Sequence, residues 1–300
     1  MAIHTAHPVE KTIQTPSPAR QEASPAGKPA SGAPPSRRVT LVTGAAGGIG
    51  QALCRRVLQA GDRLIALDHD AGALQGLAAA LAGQGVSAED LARLHPLVAD
   101  ITDCAALCEK VAAVTADVGP VDVLVSNVGA ARGPTLRKTT PQDWQADIHL
   151  NLNGAFHCVE AVRETMIQRR SGQLVLIGSV NALTTLGHPA YSAAKAALVS
   201  YTRSLAMELG AYGIRANIVL PGTVKTAAWQ ARADKNPQVF EQLKKWYPLG
   251  DFATPDDVAD AVLFLASPAA RVITGVALPV DAGLMSGIRP MAREITVEDY

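Results

Sequence analysis

The sequence predicts an α/β fold, a single domain whose doubly wound, parallel seven-stranded sheet has helices on both faces. Its short apolar runs do not alternate between apolar and polar residues as half-buried strands do. Continuous apolar runs are typical of parallel strands covered on both faces. Helical patterns separate the runs at the spacing of consecutive βαβ units. A glycine-rich loop follows the first run and opens a helix. Because βαβ crossovers are right-handed, the carboxyl ends of the strands should line one ligand cleft.

The predicted strands are short apolar runs, most of them followed by glycine or polar residues. They lie at 39–42, 64–67, 95–99, 121–125, 173–177, 214–219 and 277–280. The fifth run is followed by Gly178 and Ser179, which places Ser179 on the cleft side of the sheet.

The predicted helices have start and stop residues that can be read from the sequence. Thr140-Pro141 and Thr254-Pro255 match an N-cap followed by proline at the first helical position, each with an aspartate at the third. Gly61 and Gly210 follow the last helical residues of their segments. We expect helices from the glycine loop to residue 60 and at 71–82, 103–118, 140–170, 190–209 and 254–266.

Composition bounds the class of protein. Three hundred residues with 48% hydrophobic and 18% charged side chains suit one large globular domain with a buried core. Lysine and arginine total 27, as do aspartate and glutamate, so no basic excess indicates a nucleic acid or membrane partner. No apolar run approaches the roughly 20 residues of a membrane span, and no secretory signal is visible.

The four cysteines form no C-x-x-C pair and no metal-ligand pattern with histidine. We therefore expect reduced thiols, no metal, and a cytoplasmic protein.

Both ends of the chain differ from its centre. Residues 1–37 are rich in proline, alanine and serine without apolar periodicity, which predicts a disordered tail, although a targeting or docking segment is an alternative. A single folded domain is expected at 38–287. Within it, 227–253 reads either as a helical flap that excludes water from the cleft or as simple packing. Residues 288–300 are expected to form a polar C-terminal tail.

The glycine loop runs from Thr43 to Gly50 between a strand and a helix, the context that favours dinucleotide binding. Its glycines allow a tight turn and close approach to a pyrophosphate at a helix N-terminus. Asp68 ends the second strand eighteen positions after Gly50, near the distance of about 20 at which a carboxylate meets the adenosine ribose. No arginine or lysine directly follows Asp68 and none lies in the glycine loop, which favours NAD over NADP.

Tyr191 and Lys195 are four residues apart, so on a helix they share one face. A lysine ammonium beside a phenol lowers the phenol pKa from about 10, which suits proton transfer between an alcohol and a carbonyl. Ser179, twelve positions earlier, can hold the reacting oxygen. Alone, such a pair is common by chance on an ordinary helix surface.

These features, in this order, resemble the short-chain dehydrogenase/reductase family in its single-domain form over about residues 38–287. The resemblance rests on the glycine loop 43–50, Asp68, Asp100, residues 126–129, Asn151, Ser179, Tyr191, Lys195, Pro221-Gly222 and Thr226. It implies a Rossmann-like fold and a nicotinamide cofactor.

By this resemblance, Tyr191 is the general acid/base, Lys195 lowers its pKa and holds the nicotinamide ribose, and Ser179 positions the substrate oxygen. Asn151 would perturb its helix and hold a water that relays protons to Lys195. Asp100 and Ile101 would flank the adenine, Asn127 and Gly129 would border the cofactor, and Val224 and Thr226 would meet its carboxamide and phosphate regions. The expected cofactor-binding residues are Gly44, Gly48, Ile49, Gly50, Asp68, Asp100, Ile101, Asn127, Gly129, Tyr191, Lys195, Pro221, Gly222, Val224 and Thr226.

We therefore expect an NAD-dependent oxidoreductase that interconverts a secondary alcohol and a ketone. Two alternatives stay open: a 3-oxoacyl thioester reductase of the same family, and a catalytically silent NAD-binding regulatory protein. The substrate cannot be read, because its pocket would be lined by the least patterned segments, 130–137, 180–190 and 223–250. His188 in one of them is either a substrate contact or a surface loop residue. The resemblance also implies a homotetramer built through the helices that carry Asn151 and Tyr191.

Overall fold

A computed structural model of the chain describes residues 37–226, 229, 234, 236 and 238–298. Its strands are β1 Val39–Thr43, β2 Arg63–Asp68, β3 Leu94–Val98, β4 Val123–Ser126, β5 Gly172–Ile177, β6 Ile214–Pro221 and β7 Ala277–Val280. They form one parallel sheet in the order β3-β2-β1-β4-β5-β6-β7, which confirms the predicted fold class. The disordered tail was predicted at residues 1–37, and all of it except Arg37 lies outside the described residues.

The helices are α1 Gly48–Gln59, α2 Ala71–Gly83, α3 Ala88–Leu91, α4 Cys104–Val118, α5 Pro141–Ile148, α6 Gly154–Arg169, α7 Pro189–Leu209, α8 Val239–Lys244, α9 Pro255–Ala266 and α10 Arg289–Thr296. The threonines Thr140 and Thr254 cap α5 and α9 as predicted, each in a reciprocal capping box with the aspartate three residues on. No helix in the described part of the chain is long and apolar enough to cross a membrane.

Alternate residues of each central strand face opposite layers. Leu41 of β1 belongs to a buried cluster with side chains of α4, α6 and α7, whereas Val42 belongs to one with side chains of α1, α2 and α9. All five residues of β1 are buried. A strand covered on both faces favours apolar side chains at most positions, which explains the apolar runs of the sequence, and the buried Thr40 of β1 hydrogen-bonds to Asp62.

Strand order reverses between β1 and β4. Val42 of β1 is paired with Ala66 of β2 on one side and with Val125 of β4 on the other. The connections after β1 and β4 therefore leave in opposite directions and open a crevice at the carboxyl ends of the strands, where ligands bind in such sheets.

The helix expected at 140–170 is not continuous, which corrects the sequence prediction. A π-helical turn, His149–Asn153, separates α5 from α6. Within it, the Asn151 amide donates to Asp147 O at 2.9 Å and to Ala130 O, in the loop after β4, at 2.7 Å. Such turns are rare and often occur at functional sites.

The expected polar tail at 288–300 is a second correction, because α10 occupies most of it. Ile288, Met291 and Ile295 recur at a helical period and are all exposed. This periodicity was present in the sequence, but the short segment lacks a side-chain cap at its start.

The expected flap at 227–253 is described only in part, since residues 227, 228, 230–233, 235 and 237 lie outside the described residues. Its aromatic rings pack on one another: the centroid of Phe252 lies 5.5 Å from that of Phe240 and 4.7 Å from that of Tyr247. Tyr247 Oη also donates to Thr223 Oγ1, after β6, at 2.7 Å. These contacts anchor the end of the segment beside the cleft.

Candidate active site

Tyr191 and Lys195 lie in the first turns of α7 at the cleft. The Lys195 amine is 5.5 Å from the Tyr191 ring centroid and donates to Ile177 O at the end of β5 at 2.9 Å. Lys195 is only 2% exposed. A buried lysine on the face of a helix that also carries a tyrosine is costly to desolvate, so its position indicates function rather than a surface pair.

Ser179 follows β5 and meets Tyr191 from the sheet side. Its hydroxyl hydrogen-bonds to the Tyr191 side chain and accepts the backbone N–H of Asn181 at 3.2 Å. The serine, the phenol and the lysine therefore converge, as their spacing along the chain suggested.

The direction of the Tyr191 pKa shift differs from the sequence expectation. Burial raises the pKa of Tyr191, the hydrogen bond from Ser179 lowers it, and the charge of Asp147 raises it. Burial also lowers the pKa of Lys195 to about 8. The net shift is upward, because the cost of removing the phenolate from water is the largest effect. The contribution that lowers the Tyr191 pKa comes from Ser179.

Gly129 separates Asn151 from Lys195. A Cβ added to Gly129 would lie 3.0 Å from both Asn151 Oδ1 and Lys195 Nζ. Asn151 is 1% exposed, and its Oδ1 accepts the Ala130 N–H at 3.2 Å. The absence of a side chain at Gly129 therefore allows the asparagine and the lysine to approach each other, as a proton relay requires.

The glycine loop makes a tight turn and is hydrogen-bonded to Asn127, which follows β4. Gly44 is left-handed, with φ 65°, and a Cβ on Gly50 would overlap the Gly44 carbonyl oxygen. Asn127 Nδ2 donates to Gly44 O at 3.2 Å, and the Asn127 N–H donates to Thr43 Oγ1 at 3.0 Å. Ile49 packs against the core on the α1 side.

Thr226 lies directly across the loop. A Cβ on Gly48 would meet its side chain at 3.1 Å, so two expected cofactor residues far apart in sequence border the same space. A cavity of about 480 Å³ opens beside Thr226 and is lined also by Lys225, Phe240, Glu241, Lys244, Asp251 and Phe252.

Asp68 reaches the glycine loop from the end of β2. Its Oδ2 accepts the Ala46 N–H at 3.0 Å, and it is 7% exposed. The Leu67 carbonyl accepts the neighbouring Ala45 N–H at 3.0 Å. The carboxylate is therefore fixed at the edge of the loop.

Other expected cofactor residues point elsewhere. Asp100 Oδ1 accepts the N–H and the hydroxyl of Thr102, both at 2.8 Å, which lowers the pKa of this exposed carboxyl. The Ile101 side chain is buried against Gly154 of α6. The Ile101 side chain therefore does not face the cleft, and an adenine beside this turn would meet its backbone and the exposed Asp100. A residue's position at a strand end does not fix the direction of its side chain.

In the segment after β6, the side chain of Val224 also packs away from the cleft. Pro221 ends β6 opposite Val280, and Gly222 donates to Val280 O at 3.1 Å while packing against Asp281. The Val224 side chain is buried in the core, so its expected contact with a carboxamide would also fall to the backbone.

Three polar residues beside the site were missed by the sequence reasoning. Asp147 is buried one turn before Asn151 and binds Arg132, and Asn181 binds Ser179. Their spacing of four and two from expected site residues was the available signal. No group of three or more metal-ligating side chains occurs in the described part of the chain.

Comparison with known proteins agrees with this architecture. The family model described as enoyl-(acyl carrier protein) reductase matches residues 44–285. An uncharacterised oxidoreductase of Schizosaccharomyces pombe is 39% identical over 264 residues, covering 87% of this chain and 96% of that protein. The 2,3-dihydro-2,3-dihydroxybenzoate dehydrogenase of Bacillus subtilis is 36% identical over 259 residues, covering 84% and 97%.

Solved structures extend the comparison. A short-chain dehydrogenase/reductase from Burkholderia thailandensis is 56% identical, with a TM-score of 0.81 over 88% of this chain and 99% of that one. A Brucella melitensis 3-oxoacyl-[acyl-carrier protein] reductase with bound NAD is 29% identical, with a TM-score of 0.72 over 82% and 90%. A Burkholderia cenocepacia gluconate 5-dehydrogenase in complex with NADP and tartrate is 31% identical, with a TM-score of 0.76 over 84% and 96%.

The sheet, the glycine loop and the tyrosine–lysine pair are those of an oxidoreductase that binds a nicotinamide cofactor. The chain belongs to the short-chain dehydrogenase/reductase family.

Proposed function

We propose that the protein is an NAD-dependent dehydrogenase that interconverts a secondary alcohol and a ketone. The convergence of Ser179, Tyr191 and Lys195 at the carboxyl end of β5 carries this proposal. Binding alone requires no phenol hydrogen-bonded to a serine beside a buried lysine, whereas proton transfer to or from a substrate oxygen does.

The glycine loop fits a dinucleotide. The space above Gly48 ends at Thr226, and side chains on Gly48 or Gly50 would fill it or break the turn. We assign the pyrophosphate to this loop at the N-terminus of α1, the adenosine ribose to Asp68 and the nicotinamide ribose to Lys195. When bound, the nicotinamide ring accepts or supplies the hydride.

Asp68 supports NAD over NADP. Its carboxylate is fixed by Ala46 N–H and can accept hydrogen bonds from ribose hydroxyls, whereas a 2′-phosphate would meet a negative charge. The related structures include both an NAD complex and an NADP complex, so the preference rests on Asp68 itself.

Proton transfer would take place at the Tyr191 hydroxyl. In alcohol oxidation the phenolate accepts the substrate hydroxyl proton, and in ketone reduction the phenol returns it. The Ser179 hydroxyl donates to the same substrate oxygen and holds it in place. Lys195 and Asn151, on either side of Gly129, would pass the proton toward solvent.

The 3-oxoacyl thioester reductase remains the second candidate. The Brucella melitensis structure is a 3-oxoacyl-[acyl-carrier protein] reductase with bound NAD. A 3-oxoacyl thioester also presents a ketone to the tyrosine, so the same chemistry applies.

A spectrophotometric panel tests these proposals. Sugars, polyols, hydroxy acids, steroids and simple alcohols are assayed with NAD⁺ and NADP⁺, and acetoacetyl-CoA with NADH and NADPH. We expect oxidation of a secondary alcohol with NAD⁺, and Tyr191→Phe should abolish it while NAD binding persists. Tyr212→Phe, an exposed tyrosine after α7, is the matched control. Tight NAD binding without turnover on any substrate would instead indicate the silent regulatory protein.

The assembly is also a proposal. We propose a homotetramer that uses α6 and α7, whose surfaces present Phe156 at 44% exposed and Met207 at 76%. Light scattering after size-exclusion chromatography tests it, and a monomeric mass would refute it.

A further inference from the structure

Asn181 links the Ser179 turn to the start of the helix that carries Tyr191. Its side-chain amide donates to Gly187 O at 3.2 Å and to Ser192 Oγ at 2.9 Å. Ser192 Oγ donates in turn to Gly187 O at 2.9 Å. Both amide hydrogens of Asn181 are therefore used on the far side of the loop, where α7 begins.

The Asn181 backbone N–H holds the Ser179 hydroxyl, and the side-chain bonds to Gly187 O and Ser192 Oγ fix where that N–H lies, so Asn181→Ala acts on Ser179 through the backbone. The Asn181 backbone N–H donates to Ser179 Oγ at 3.2 Å, and its Oδ1 lies 3.4 Å from the same oxygen. A hydroxyl has one donor and two acceptor sites. The N–H occupies one acceptor site, and the contact to Oδ1 is long enough to leave the Ser179 proton free for the Tyr191 oxygen or a substrate oxygen.

The chain held by Asn181 is strained. Gly187 has φ 81° and His188 has φ 52°, both in the left-handed region, directly before Pro189 starts α7. A side chain in that region, here that of His188, is strained, and such strain persists where neighbouring contacts hold it. Gly187 O receives the bonds from Asn181 and Ser192, so the same amide fixes the start of α7.

We propose that Asn181 is a positioning residue that, through Ser179 and Ser192, holds the serine hydroxyl against the Tyr191 phenol. Its effect on turnover rests on the proposed function, whereas its effect on the Tyr191 environment does not. Asn181 itself reaches the substrate only through Ser179.

Tyrosine titration provides a test that needs no substrate. The full-length protein is labelled with ¹³Cζ-tyrosine, Tyr191 is assigned with Tyr191→Phe, and spectra are recorded between about pH 8 and about pH 12, because the Tyr191 pKa already lies above its usual value of 10. Since the Ser179 hydrogen bond lowers the pKa of Tyr191, Asn181→Ala and Ser179→Ala should each raise it. The double variant should go no higher than Ser179→Ala alone. An unchanged Tyr191 titration in Asn181→Ala would overturn the proposal.

Kinetics with cyclohexanol and NAD⁺, or with the best alcohol of the panel, provides the second readout. Asn181→Ala should lower kcat by about tenfold or more and move the ascending limb of the rate, which reports the phenolate, to higher pH, with NADH affinity unchanged. Ser192→Ala should move both in the same direction by less. Ser204→Ala, on the same helix with a hydroxyl directed to Ser200 O, should leave them unchanged.

The outcomes separate the two proposals. If the native protein oxidises no alcohol while Asn181→Ala shifts the Tyr191 titration, the proposed function fails and the positioning role stands. If Asn181→Ala does not fold by near-ultraviolet circular dichroism, Ser192→Ala decides the matter. A Ser192→Ala titration identical to the native one would then refute the role.

Discussion

The Asp147 carboxylate, 1% exposed, holds Arg132 at two points. Its Oδ1 accepts from Arg132 Nη1 at 2.8 Å, and its Oδ2 accepts the Arg132 backbone N–H at 3.1 Å. One turn later, the Asn151 amide binds both the N–H and the carbonyl of Ala130. The two side chains clamp the loop after β4 to the π-helical turn, and the Asp147 charge reaches Tyr191.

Asp147→Asn should lower the pKa of Tyr191. The amide keeps an acceptor for the Arg132 N–H and removes the negative charge that disfavours the phenolate. Since oxidation requires the phenolate, the ascending limb of kcat/KM, along which the rate rises with pH, should move to lower pH, which a pH–rate profile measures. Asp143→Asn, half-buried on the same helix, is the control. A limb that stays in place or rises would contradict the assignment.

Lys195→Met should stabilise the fold at neutral pH. Burial lowers the pKa of Lys195 from 10.5 to about 8, so the unfolded chain binds more protons between those values. The cost of the buried charge is fully present below about pH 8 and disappears as the pH rises to 10.5. We expect a gain on the order of 2 kcal/mol at pH 7, after losing the bond to Ile177 O.

Urea unfolding of both proteins at neutral and alkaline pH measures this difference. The gain should shrink as the pH rises, and a gain that grows would contradict the buried-charge argument. Lys110→Met serves as the control, because Lys110 is exposed and donates the same kind of bond, to Val98 O at 2.9 Å.

The fold could be predicted because parallel strands covered on both faces leave a direct trace in the sequence. The run 277–280 coincides with β7, and the threonine–proline–aspartate starts of α5 and α9 are local capping chemistry. The glycine loop is equally local, since Gly44 and Gly50 are dictated by backbone geometry within one turn.

The missed features depend on contacts between distant residues. The resemblance implied that Asn151 perturbs its helix, but the π-helical form of that perturbation depends on Asn151 meeting Ala130, twenty-one residues away, and Asn181 meets Ser192 eleven residues on. Ile101 and Val224 lie near the cleft in sequence order, but their side chains turn into the core. The direction of the Tyr191 pKa shift likewise follows from burial, which the four-residue spacing to Lys195 does not specify.

Gly129→Ala should impair turnover more than folding. The added methyl would lie 3.0 Å from both Asn151 Oδ1 and Lys195 Nζ, so the flexible lysine has to move away from the relay. We expect kcat to fall by about tenfold to a hundredfold with a small loss of stability. Gly76→Ala, in α2 with nothing near its Cβ, should instead gain about 0.5–1 kcal/mol without affecting kcat. Equal kcat values in the two variants would contradict this account of the relay.

Asp68→Asn should weaken the discrimination against NADPH. The asparagine keeps an acceptor for the Ala46 N–H at nearly the same shape, so the glycine loop stays in place while the charge that repels a 2′-phosphate is lost. We expect the KM for NADP⁺ to fall by about tenfold, and the KM for NAD⁺ to rise by less, since an amide still bonds one ribose hydroxyl.

The ratio of kcat/KM for NAD⁺ and NADP⁺, measured with the same alcohol, gives the result. Asp70→Asn is the matched control, because Asp70 lies two residues on, is exposed and caps α2, a role that asparagine also performs. If Asp68→Asn leaves the ratio unchanged, or if Asp70→Asn changes it as much, the carboxylate of Asp68 does not select the cofactor. A native enzyme that already prefers NADPH would refute the NAD assignment directly, while the proton-transfer role of Tyr191 would be untouched, because Asp68 and Tyr191 act at opposite ends of the dinucleotide.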